Sequence, residues 1–172
     1  IVAEVLRRVR SGNPRIGVYG ASTVNEETNM GGAYFAGAGI VPNAAIATDV
    51  TFATDYPGVD TAKYGDVRLD GGPVIARGAP ISRKINRLIE QSAARLGIPL
   101  QVELTPRLTS TDADKIRYTG SGVPVALVSL PLRYMHAPVE TASLRDIEQE
   151  IELLTDLILH MTGDENLNPL EN

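Results

Sequence analysis

The stretch VPVALVSLPL, residues 123–132, decides the fold. It is almost continuously apolar. Such a run is expected for a central strand buried on both faces, which occurs where helices cover both sides of a sheet. Outward from it, strands and helices alternate. Towards the C terminus, Leu144, Ile147, Ile151, Leu154, Ile158 and Met161 recur at spacings of three and four, predicting an amphipathic helix over 143–161. Towards the N terminus, residues 113–118 read as a short helix that Thr111-Asp112 can cap, and 99–104 as a strand. Ser82 opens a helix over 82–96 with Ile85, Leu88, Ile89 and Leu96 on its apolar face, and Gly97 stops it. Short strands are expected at 73–76 and 44–50, loop at 56–72, and a Gly/Ala-rich helix at 29–38. Residues 15–24 (RIGVYGASTV) read as a further strand, and 1–10 as a helix ended by Ser11-Gly12-Asn13-Pro14.

This alternation predicts an α/β fold with three α/β/α layers around a mixed, largely parallel sheet. One domain is expected over 1–163, followed by a polar tail at 164–172. The chain opens directly on a helical pattern without Met, which reads as an internal start, truncated at the N terminus.

Composition narrows the chemistry. The net charge of -5 and the lack of a Lys/Arg run argue against nucleic acid as a partner. No apolar run is long enough to span a membrane, and no signal peptide is visible, so a cytoplasmic location is expected. There is no cysteine, so a zinc-type site must use His, Asp and Glu. Three segments put such residues just beyond an apolar run: Glu26-Glu27 after Val24, Asp49 at the end of AIATD, and His136 after LPLRYM. Open α/β sheets bind ligands beyond the carboxyl ends of their strands, so the three can converge on one site. Taken singly, each has a bland reading: a solvated Glu pair, a turn-capping Asp, a loop His.

Several motifs occur in a set order: Asn25-Glu26-Glu27 with Gly31-Gly32-Ala33, AIATDVTFATDYPGV (45–59), GGPVIARG (71–78), STDAD (110–114) and LVSLPLRYMHAPVE (127–140). Together they resemble the glutamyl and tetrahedral aminopeptidase family of metallopeptidases, over essentially the whole chain. The resemblance implies a zinc-peptidase-like fold and roles by position. Glu26 matches the general base. Glu27 matches a ligand of one metal, shared with His136, and Asp49 a ligand of the other. It further implies two divalent metal ions in the complete enzyme, zinc or cobalt, peptide substrates, and a homo-oligomer in the full-length protein. The implied reaction is release of N-terminal amino acids by water activated at the two-metal centre.

The match also breaks in places. The family's site has two more ligands, a histidine in an early His-x-Asp motif and a bridging aspartate; the only histidines here are His136 and His160. Asn25 stands where the family usually has Gln, and Thr28-Asn29 where it has Val-Gly. The chain alone is therefore expected to be weakly active or inactive. Two alternatives stay open: an inactive fragment or assembly module of the same fold, and an N-acyl hydrolase or glycanase. Of the remaining polar residues, Thr111-Asp112 can lie at the rim of the site but reads first as a helix cap, Arg77 can contact substrate but reads first as structural, Arg133 reads as ordering the His136 loop, and His160 as remote from the site.

Overall fold

The computed structural model describes residues 1–169 and residue 171; the last part of the predicted polar tail, at 170 and 172, lies outside the described residues. The elements in chain order are α1 (Val2–Gly12), α2 (Glu26–Asn29), α3 (Gly31–Ile40), β1 (Ala45–Phe52), α4 (Thr61–Tyr64), β2 (Val74–Arg77), α5 (Arg83–Leu96), β3 (Gln101–Leu104), α6 (Ala113–Ile116), β4 (Val125–Arg133), β5 (Thr141–Ala142) and α7 (Leu144–His160). The sheet runs β1-β4-β2-β3, with β5 added to β4. β1 lies parallel to β4, from Ala45 beside Val125 to Phe52 beside Leu132, and β2 parallel to β3. The β2–β4 and β4–β5 pairings are antiparallel and short. The sheet is thus mixed and largely parallel, as expected.

β4 is central, and its first eight residues are all buried. Its side chains divide by parity. Ala126 and Val128 join one core with Val5 and Val9 of α1, Ile85 and Ile89 of α5, and Ile151, Leu154 and Leu157 of α7. Val125 and Leu127 join a second core with Ala47, Ala76, Ile81 and Ala113 of α6. Two cores on opposite faces of one strand make the three-layer arrangement. Each buried Ile or Leu stabilises by roughly 1.5–3 kcal/mol, so apolar contact on both sides holds β4 in place.

Local signals set the helix ends. Ser82 accepts from the Ile85 N–H at the start of α5, and Gly97 closes it in the left-handed conformation. Ser143 accepts from the N–H groups of Arg145 and Asp146 at the start of α7. Asp146, fully buried, accepts from the N–H groups of Asp70 and Gly72 at 2.9 Å each, tying α7 to the loop before β2. The loop expected at 56–72 carries one helical turn, α4, whose start Asp60 caps through the Ala62 N–H.

One expectation fails. Residues 15–24 form no strand, and none of 15–23 makes a backbone bond to another segment among the described residues. Alternating apolar residues become a strand only where a neighbour offers its own N–H and C=O groups. Here β1 pairs with β4 alone among the described residues, and Tyr19 and Val24 stay 73% and 67% exposed. In the tail, Leu167 packs against the first core and Glu165 accepts the N–H groups of Thr162 and Gly163.

Candidate metal centre

Three loops meet near the carboxyl ends of β1 and β4. The first leaves residue 24, passes Asn25 in the left-handed conformation (φ 62°) and enters α2 at Glu26 and Glu27. The second is the C-terminal half of β1, where Asp49, expected at the strand end, stands three residues before it and lies beside Ser129 of β4. The third follows β4, with Tyr134 and His136 both left-handed (φ 60° and 64°). Non-glycine residues hold such angles only where the surroundings over-determine them.

The surroundings of His136 do so. Arg133 donates from Nε and Nη2 to the two oxygens of Asp55 at 2.8 and 2.7 Å, a bidentate pair that fixes the exit of β4. The Arg133 guanidinium beside it lowers the Asp55 carboxyl below its usual range. The rings of Tyr134 and Tyr56 pack 5.1 Å apart. Beyond them the His136 N–H donates to Glu140 Oε1 at 2.6 Å, and the His136 ring stands edge-on to Phe52, 6.5 Å between centroids. Arg133 thus orders this loop, as expected from its position.

The predicted site residues come together in part. His136 Nε2 lies 3.7 Å from Glu27 Oε1, both side chains largely exposed. Glu26 and Asp49 are half-buried in the same corner. Burial, then the nearby charges of Asp49, Glu27 and Asp112, raise the Glu26 carboxyl above its ordinary value, with His136 opposing. Burial first, then Asp112 and Glu27, raise Asp49 against the Val50 N–H bond and His136. Four carboxylates and one imidazole therefore feel one another's charge. Hard oxygen and imidazole donors suit a divalent cation, which relieves this repulsion. Among the described residues, however, no three His, Asp or Glu side chains stand close enough to hold an ion. The donor set fits the group chemically, and Glu27 with His136 is the pair already brought together.

Two further polar residues stand in this corner, one unmarked in the sequence and one read there first as a cap. Glu103 of β3 accepts from Thr51 Oγ1 at 2.6 Å and from Ser129 Oγ at 3.4 Å. Burial raises its carboxyl, with the Asp49 charge adding to the effect against those two bonds. In PLQVEL, Glu103 reads simply as the polar half of an alternation, and nothing local marks that face as covered. Asp112 is the other; it binds Thr23, three residues before Glu26, rather than capping α6. Arg77 instead pairs with Glu90 at 2.7 Å, at the end of β2 that points away from the corner. His160 hydrogen-bonds the backbone of Asp156 in the last turn of α7, apart from the site.

A family model described as M42 glutamyl aminopeptidase matches residues 1–153. A lysyl aminopeptidase of Pyrococcus furiosus is 38% identical over 154 residues, which is 90% of this chain and 42% of that protein. The crystal structure of a TET aminopeptidase from a marine-sediment Thaumarchaeota archaeon superposes with a TM-score of 0.86 at 27% identity, over 93% of this chain and 45% of that one. A Pyrococcus horikoshii TET1 peptidase, described as assembling into a tetrahedron or a large octahedral shell, superposes with a TM-score of 0.61 at 30% identity, over 81% of this chain and 40% of its own. The chain thus spans less than half the length of each.

Proposed function

The chain belongs to the M42 glutamyl aminopeptidase family, and from that premise we propose that it supplies the general base and three metal ligands of a metal-dependent aminopeptidase centre. The observation that carries this reading is the meeting of Glu27 and His136, from separate loops, beside the half-buried Glu26 and Asp49. Glu27 and His136 would hold one ion and Asp49 the other, with zinc or cobalt suited to these donors. Ions held by these residues would supply Lewis-acid polarisation of the scissile carbonyl and of the attacking water.

This chain's own residues do the rest. Glu26 takes the proton of the attacking water on a free carboxylate oxygen and returns it to the leaving amine. Its raised proton affinity moves it towards the range where a base also serves as a proton donor. The Arg133–Asp55 pair and Glu140 orient the backbone that presents His136. The substrates proposed are peptides with a free N terminus. No helix among the described residues is long and apolar enough to cross a membrane. The full-length protein is proposed to assemble with copies of itself, in line with the relative that builds closed shells.

The 172 residues hold no second histidine in the site corner and no three-donor group among the described residues. The chain alone is therefore expected to release little or no amino acid. That same observation favours the second reading, an inactive or structural module. The test offers aminoacyl-peptide, N-acyl amino acid and glycan substrates to this chain joined to an upstream half such as its relatives carry. Chelator-sensitive release of N-terminal residues is expected. Turnover of the N-acyl or glycan substrates alone would give the site another substrate, and no turnover at all would leave the structural reading in force.

A further inference from the structure

We propose that Asp112 is a positioning residue: through Thr23 it ties the loop that carries Glu26 and Glu27 to the start of α6. This rests on the reading that Glu26 and Glu27 belong to the reactive corner, and the geometry adds how they are held there. By sequence Asp112 occupies the N-cap of α6, yet its backbone is helical (φ -52°, ψ -27°) and its carboxylate makes no capping bond. Capping residues are usually extended, because only then does the side chain fold back onto the first free N–H groups. Thr111 takes over that task, and Asp114 braces the turn before it. Thr111 Oγ1 accepts the Ala113 N–H at 3.3 Å. Asp114 accepts the N–H groups of Thr109 and Ser110 at 3.1 and 2.8 Å, fixing the turn that leads into the helix.

Asp112 is thus released from the helix end, and its Oδ2 accepts the hydroxyl of Thr23. Thr23 stands three residues before Glu26, in a segment with almost no backbone bonds of its own. The next anchor is one residue on, where the Gly32 N–H donates to the Val24 carbonyl at 3.0 Å. Gly32 is required there, since a Cβ at this position would collide with the Val24 backbone. After these two anchors the chain turns through left-handed Asn25 into α2, whose Thr28, Asn29 and Met30 N–H groups all reach the Asn25 carbonyl. Without the Thr23 tether, one backbone bond would be left to hold the entry to a one-turn helix carrying both glutamates, whose far end alone is fixed by running on into α3. Such a helix has no stability of its own.

The test uses Asp112→Ala, Thr23→Val, their combination, and Thr23→Ser, which keeps the hydroxyl. Hydrogen exchange at the Thr28, Asn29 and Met30 amides is expected to rise in both single variants and to stay unchanged in α7. The double variant should match the singles, and Thr23→Ser should restore protection. Zinc affinity, titrated in the same proteins, is expected to fall roughly tenfold, the range seen when a group supporting a ligand is lost. Unaltered exchange in α2 in both single variants overturns the proposal, as do effects that simply add in the double variant. If α2 loosens while the unsubstituted chain takes up no zinc, the tether stands and the metal reading falls.

Discussion

Glu150→Gln is expected to raise the melting temperature at pH 8 and to leave it nearly unchanged at pH 5. Glu150 of α7 has no exposed surface, and neither carboxylate oxygen has a hydrogen-bond partner among the described residues. An unpaired charge there would carry its full desolvation cost. Burial therefore pushes the carboxyl up to about 8, assisted by Asp49. The unfolded chain releases that proton near the ordinary value of 4.5. Between these two values the unfolded state binds fewer protons than the folded one, so stability falls as pH rises. The slope is at most ~1.4 kcal/mol per pH unit, or roughly 3–6 °C per unit for a domain of this size. Glutamine cannot ionise, so the variant escapes this loss. Thermal melts of both proteins from pH 5 to 9 should diverge up to about pH 8 and then run parallel. Melting curves that keep a constant separation throughout would show that Glu150 does not hold its proton.

Glu26→Gln is expected to lower kcat by roughly 10²–10⁴-fold, the usual worth of a positioned general base. The protein assayed is this chain joined to the upstream half of its relatives. Zinc affinity and KM should stay close to the unsubstituted values, because the amide keeps the shape and a carbonyl oxygen while losing the proton acceptor. The pH profile carries a second sign. A base works deprotonated, so the acid limb of kcat reports the Glu26 carboxyl. That limb should vanish in the variant. A variant that keeps most of its rate would assign proton transfer to another group.

The sequence and the structure agree most where periodicity is strong. β4 and α7 are legible because a continuous apolar run and a repeat of three and four leave little choice of element, and Ser82, Gly97 and Ser143 mark helix ends by capping chemistry visible in the sequence. Residues 15–24 show the limit of the same logic: an apolar alternation specifies which face would be buried but cannot supply a neighbouring strand. Glu150 is readable in principle. It lies three residues after Ile147 and four before Leu154, on the apolar stripe of α7, and a carboxylate at such a position is the signal of a buried acid.

The site is legible in its residue types and less so in its supports. His136 can be named from the end of a strand and Glu26, Glu27 and Asp49 from family motifs, and the charges of these residues meet in one corner. Asp112 reads as a cap because Thr111 and Asp112 both qualify as capping residues, and only the backbone angles and bonds show that Thr111 is the one that caps. Glu103 reaches Thr51 and Ser129 across the sheet, a relation that no local spacing encodes.

The pairing of Glu27 with His136 as one half of a metal centre is the point on which the proposed chemistry depends. Calorimetric titration of the 172-residue chain with zinc, beside a Glu27→Ala, His136→Ala double variant, tests it directly. Weak uptake of zinc by the chain and none by the variant is the predicted result. Equal zinc binding by the two proteins would contradict it, since the ion would then be held by residues other than this pair.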